Sequence, residues 1–228
     1  MRLGLVLVGL CLAMAGRAFA GSPVVVELYT SQGCGSCADA NRLVDDLADR
    51  EGLLPLTFSV DYLDYLGWRD TFARPEFSKR QRSYAERWEA PALIAPQVVI
   101  DGRAQARGTE TEAVDALIRE AQRAQRDPPD IRFIGDRLAV GSGRHTATPA
   151  DVWLIRYDPR GQDVAVRRGE NQGRTLIYRN VVRELVRLGG WKGKPVSFAV
   201  PEPTAKGLVT LILVQQPKGG EVLALLNE

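Results

Sequence analysis

Two cysteines three residues apart, Cys34-Gly35-Ser36-Cys37, constrain this chain more than any other feature. The continuous apolar, β-branched run Val24-Val25-Val26-Glu27-Leu28-Tyr29 precedes them and suits a strand buried on both faces. Thr30 to Gly33 reads as a polar turn. Behind the pair, Ala40, Leu43, Val44, Leu47 and Ala48 fall at helical spacing, with Asp39, Asp45, Asp46 and Asp49 interleaved. A strand that stops just ahead of a helix puts Cys34 at the helix N-terminus. Unpaired N–H groups and the helix dipole there favour the thiolate, which is the nucleophilic form. Cys37 then lies about one turn inward and can reach back to resolve a mixed disulfide.

The first twenty residues read as a secretory signal peptide: basic Met1-Arg2, an apolar stretch from Leu3 to Ala15, and small-x-small Ala18-Phe19-Ala20 before Gly21. The apolar stretch is short for a membrane span, which needs about 20 residues. A periplasmic or secreted protein without a stable membrane span is expected. The full chain carries 30 basic and 28 acidic residues, and loss of Arg2 and Arg17 would equalise them. That balance provides no concentrated basic surface, so nucleic acid is not an expected partner.

Loss of the signal would also remove Cys11, leaving Cys34 and Cys37 in an oxidising compartment. A crosslink between them closes too small a loop to restrain a chain of 228 residues. Structural zinc normally takes four ligands, and only His145, far along the chain, could join the cysteines. Two thiolates do suit copper(I), which stays open as an alternative to a cofactor-free redox dithiol.

Leu54 to Val60 reads as a second strand, and Pro75 can open a helix reaching about Glu89. Pro96 to Ile100 is a third strand that turns at Asp101-Gly102 and returns through Arg103 to Gly108. Thr109-Glu110-Thr111-Glu112 has capping-box spacing ahead of a helix with Val114, Leu117, Ile118 and Ala121 on one face. The predicted order is β-α-β-α-β-β-α. Asp127-Pro128-Pro129-Asp130 is a stiff polar break, giving a domain over 21–127 after a signal over 1–20. Residues 131–228 hold short strand-like runs between Gly, Pro and Asp turns, with only Asn180 to Leu188 reading as helical. This half is expected to be an antiparallel sandwich or barrel. The fold class is α/β, α+β overall.

The strand, the Cys34–Cys37 pair opening a helix, and Ala95-Pro96 leading a strand into Asp101-Gly102 resemble the thioredoxin superfamily. The resemblance implies a thioredoxin-like first domain. It implies a cis-proline at Pro96 facing the dithiol, with Ala95 beside it presenting backbone to substrate. It also implies a buried acid before the dithiol that relays a proton for Cys37, and Glu27 is the nearest match. Burial would raise such a carboxyl and suit it to that task; a solvated strand-edge carboxylate is the other reading. Gly33 and Ser36 depart from the superfamily's usual tryptophan and proline, and Asp61–Glu89 lengthens the path to Pro96. Thr30-Ser31-Gln32-Gly33-Cys34, Val60-Asp61-Tyr62-Leu63-Asp64-Tyr65-Leu66-Gly67-Trp68 and Gly169-Glu170-Asn171-Gln172-Gly173-Arg174-Thr175-Leu176 are similar to a family of exported thioredoxin-like proteins of unassigned function. That likeness spans nearly all of the chain after the signal.

Tyr62, Tyr65 and Trp68 would either line a groove beside the dithiol or pack the inserted helix on the sheet. Glu170, Asn171 and Arg174 would recognise a partner, join the halves, or belong to a plain hairpin. His145 reads as a solvated loop side chain. The expected function is an exported thiol–disulfide oxidoreductase or thiol-dependent accessory protein. Its partners would be protein or small-molecule thiols and disulfides. A copper(I) metallochaperone and a non-catalytic interaction protein are the alternatives.

Overall fold

The computed structural model describes residues 22–144 and 146–228; the expected signal peptide and His145 lie outside them. The first half contains β1 (Val24–Thr30), α1 (Cys37–Ala48), β2 (Leu53–Ser59), α2 (Pro75–Arg87), β3 (Gln97–Ile100), β4 (Ala104–Arg107) and α3 (Thr111–Arg123). This is the predicted order, with one 3-10 turn over Asp64–Leu66 inside the aromatic-rich connection.

β1 is buried along its whole length because helices cover both faces of the sheet. Val24, Val26 and Leu28 meet Leu43, Val44 and Leu47 of α1 and Val114 and Ile118 of α3. The alternate residues Val25 and Tyr29 meet Phe77 and Tyr84 of α2 on the opposite face. Strand alternation thus divides one continuous apolar run between two cores. Burying each Val or Leu side chain stabilises by roughly 1.5–3 kcal/mol. Pro75 occupies the first turn of α2, where its missing N–H costs nothing. The expected capping box does not form: Glu110 occupies the N-cap of α3 and no side chain caps it.

Residues 124–130 are irregular and lead into β5 (Ile131–Ile134), β6 (Arg137–Val140), β7 (Ala150–Asp158), β8 (Gln162–Ala165), β9 (Thr175–Tyr178), β10 (Val181–Trp191), β11 (Val196–Ala199), β12 (Val209–Gln215) and β13 (Val222–Asn227). The long strands of this half continue the first half's sheet in the order β13-β12-β7-β10-β2-β1-β3-β4. Within it β1 and β2 are parallel, as are β2 and β10; the other neighbours are antiparallel. The smaller β11-β6-β5 sheet packs Leu138 and Val140 against Val152, Leu154, Ile212 and Val214. The β8-β9 ribbon lies against α1, with Leu176 and Tyr178 in a cluster with Ala38. The architecture is mixed α+β, with three α-helices among the described residues.

Asn180 to Leu188, expected to be helical, is a correction: the segment forms most of β10, an extended strand of 11 residues paired with β7. Register shifts at Val182/Glu184 and Arg187/Gly189 break the two-residue alternation. The apolar residues Val181, Val182, Leu185 and Leu188 therefore imitate a helical spacing, and cross-strand pairing overrides it.

Candidate functional site

β1 delivers the chain to the mouth of α1, and Cys34 and Cys37 are joined there by a disulfide with Cα atoms 5.4 Å apart. The turn is short: Cys34 donates its N–H to the Ser31 carbonyl and Cys37 donates to the Cys34 carbonyl, each at 3.2 Å. Ser36 is the N-cap of α1, yet its side chain caps no helix amide; its Oγ lies 3.5 Å from Cys34 Sγ. Cys37 is fully buried, whereas Cys34 keeps 5% of its surface exposed. Both cysteines are thus buried, and Cys34 lies nearer the surface.

The surroundings come from distant parts of the chain. The completely buried Asn171, in the loop between β8 and β9, donates from Nδ2 to the carbonyls of Gln32 (3.0 Å) and Cys34 (2.8 Å). Its Oδ1 accepts from Arg174 at 2.8 Å. Glu170 beside it accepts the Gly35 N–H at 2.7 Å. On the other side Gln32 receives Trp68 Nε1–H at 2.9 Å, and donates its own N–H to Asp70 at 2.7 Å. Two segments, one from each half, therefore grip the dithiol turn through its backbone.

Pro96 follows a cis Ala95–Pro96 bond and accepts the Gly108 N–H at 2.9 Å. A Cβ on Gly108 would stand 2.8 Å from Ala40 of α1 and 2.9 Å from Pro96. Pro96 is therefore seated against the first turns of the helix that Cys37 opens, and half-buried Ala95 precedes it. Trp68 belongs to the cluster with Ala38 and Tyr178 beside α1. Tyr62 packs against the other core, on the α2 side, and burial pushes its phenol up to about 12. The two aromatics thus serve different faces of the sheet, and Tyr65 is largely exposed.

Glu27 requires a correction. It is buried, but it shares the α2 face with Val25 and Tyr29, away from α1 and Cys37. Burial alone would raise its carboxyl, as expected. The Arg80 guanidinium at 2.7 Å and donated bonds from Tyr29 and Tyr84 outweigh that and hold it below the usual carboxylate range. A carboxylate held ionised in this way is a poor proton acceptor.

The acid with the opposite character is Asp70, which no local pattern singles out. Burial pushes its carboxyl up to about 6, despite N–H groups donated by Gln32 and Phe72. Between about pH 4 and pH 6 the folded chain holds a proton there that the unfolded chain releases, so this group's contribution to stability falls as pH rises. The full effect is about 2–3 kcal/mol. Urea unfolding of Asp70→Asn from pH 4 to pH 7 is expected to lack this decline. The variant's stability relative to the parent should climb across that interval, and parallel curves would refute the assignment.

Among the described residues no group of three or more His, Cys, Asp or Glu side chains is placed to hold a metal ion. No described helix is long and apolar enough to cross a membrane.

Comparison with known proteins places this geometry in a family. The family described as "Protein of unknown function (DUF1223)" matches residues 25–215, and the chain belongs to it. The crystal structure of protein AGR_C_4864 from Agrobacterium tumefaciens is similar at 27% identity and a TM-score of 0.70, covering 92% of this chain and 95% of that one. HBP35 of Porphyromonas gingivalis is similar in fold, with a TM-score of 0.61 at 10% identity over 91% of this chain and 74% of that one. A sequence likeness of 24% over 174 residues links the chain to cytochrome P450 71A9 from Glycine max, covering 66% of this chain and 34% of that protein. The chain thus spans about a third of that relative's length, and no feature of the site rests on the likeness.

Proposed function

We propose that the protein is an exported thiol–disulfide oxidoreductase with a thioredoxin-like first half, acting through Cys34 and Cys37. The observation that carries this reading is a disulfide too short-range to staple the chain, set at a helix mouth that no side chain of its N-cap residue closes, with Cys34 the less deeply buried of the pair. Pro96, seated beside the same helix, supports the thioredoxin-like assignment.

In the reduced protein the Cys34 thiolate attacks one sulfur of a substrate disulfide. A Cys34–substrate S–S bond forms, the substrate S–S bond breaks, and the second substrate sulfur leaves as a thiolate that takes up a proton. Cys37 then loses its proton and attacks Cys34 Sγ, closing the Cys34–Cys37 bond and expelling the remaining substrate thiolate. Two electrons pass from the dithiol to the substrate. Run backwards, the same steps oxidise a substrate dithiol. The helix mouth favours the first thiolate, and the depth of Cys37 reserves it for the second step.

Cys37→Ala is expected to arrest the cycle at the mixed disulfide. Non-reducing electrophoresis with a disulfide substrate such as insulin should show an adduct that Cys34→Ser lacks. An adduct absent from Cys37→Ala, together with no insulin reduction by the parent dithiol, would end this reading.

A further inference from the structure

The loop between β8 and β9 does more than grip the dithiol turn: it brings a carboxylate to the mouth of α1. Glu170 Oε2 lies 2.7 Å from the Gly35 nitrogen, across 135 positions of sequence. A Cβ at position 35 would stand 3.1 Å from that oxygen and 3.5 Å from Glu170 Cβ, so glycine leaves the carboxylate its space. Gly169 makes a matching approach, with φ +77° and a would-be Cβ 2.9 Å from the Leu66 carbonyl. The next residue is the completely buried Asn171. Glu170 itself is exposed, but its backbone is anchored on both sides.

We propose that Glu170 is a positioning residue that makes the Cys34–Cys37 pair more reducing by holding a negative charge beside Cys34 at the helix mouth. The proposal rests on the redox reading of the pair. Oxidised, the two sulfurs are neutral and tolerate the carboxylate. Reduced, Cys34 as thiolate is one residue from the amide that Glu170 already occupies, and like charges repel. The thiolate form, and with it the dithiol state, is disfavoured relative to the disulfide. Other charged groups around the turn include Arg174, whose Nη1 is bonded to Asn171, Asp70, which accepts the Gln32 N–H, the Asp39–Arg42 pair on the exposed face of α1, and the exposed Arg167 and Arg168, which precede Glu170 on its own loop. Among the described contacts, only Glu170 places a charge directly on the turn between the two cysteines.

The test is equilibration of the full purified chain with glutathione buffers at pH 7, where dithiol and glutathione disulfide exchange for protein disulfide and two glutathione thiols. Glu170→Gln keeps an oxygen acceptor for Gly35 and removes the charge. It is expected to shift the equilibrium about three- to tenfold toward the dithiol, tenfold being about 30 mV for this two-electron couple. The pH profile of Cys34 alkylation should move to lower pH, and 1 M salt should shrink the difference between variant and parent. Glu202→Gln, an exposed carboxylate outside the site, should change nothing. An equilibrium for Glu170→Gln within twofold of the parent overturns the proposal and leaves the redox reading standing. A parent pair that does not exchange with glutathione at all overturns both. Glu170→Ala separates bond from charge: a shift with Ala but not with Gln means the hydrogen bond matters and the charge does not, which also overturns the proposal.

Discussion

Arg80→Ala is expected to destabilise the fold by about 3–5 kcal/mol, the usual cost of leaving one partner of a buried ion pair alone. Arg80 reaches Glu27 with Nε at 2.8 Å and Nη2 at 2.7 Å, and Nη2 also meets Gln215 Oε1 at 3.0 Å on β12. Tyr84 donates to Glu27 and accepts from Gln215, so strands of both halves and α2 share one closed polar network. The guanidinium lies 5.8, 5.5 and 5.4 Å from the ring centres of Phe58, Tyr84 and Trp153. Removing it strands the Glu27 carboxylate in that apolar shell. The melting temperature should drop by about 10 °C, given 2–4 °C per kcal/mol for a chain of this size. The double variant Glu27→Leu with Arg80→Met should recover most of the loss, because it strands no charge. A loss under 1 kcal/mol for Arg80→Ala, measured by urea unfolding, would show that the network is not closed as described.

Asn171→Leu is the second large effect. The side chain fills similar space but donates nothing, so the Gln32 carbonyl loses its partner and the Cys34 carbonyl keeps only the Cys37 N–H. An unsatisfied buried group costs about 1–3 kcal/mol, the loss expected for the Gln32 carbonyl. The damage should be local as well as global. Amide hydrogen exchange over residues 32–36 is expected to accelerate more than exchange in β7 or β12, which Asn171 does not touch. Equal acceleration everywhere, or none, would mean that the β8–β9 loop does not hold the dithiol turn.

The parts of the fold legible in the sequence are those whose cause is local. Val24 to Tyr29 reads as a two-face strand because every residue but Glu27 is apolar, and all of it is buried. α1 follows from the spacing of Ala40, Leu43, Val44 and Leu47, which line one core. β10 was not legible, because two bulges disguise its period and the strand that decides its state, β7, lies elsewhere in the chain. The site divides in the same way. The cysteine pair and its helix declare themselves by spacing. The state of Glu27 depends on Arg80, 53 positions away, and the anchoring of the turn depends on Asn171, 137 positions beyond Cys34. Asp70 looks like any loop aspartate until burial and the Gln32 amide reveal it. Contacts of that range leave no periodic trace.

The junction between β2 and β10 also has a consequence in time. Thr57 donates its N–H to the Asn180 carbonyl at 3.0 Å and its hydroxyl to the Arg179 carbonyl at 2.8 Å, and Asn180 Nδ2 reaches the Pro55 carbonyl at 2.8 Å. The backbone of Pro55 and Thr57 therefore points toward the entry to β10, which a ribosome reaches 122 positions after Thr57, at Arg179. Until then β2 is an open margin on a half-built sheet, the kind of template that recruits neighbouring chains. Proline at position 55 turns a nitrogen without hydrogen toward that margin, removing one of the donors an intruding strand would need. A residue that looks like a poor choice for a strand interior thus leaves that margin one donor short until β10 covers it.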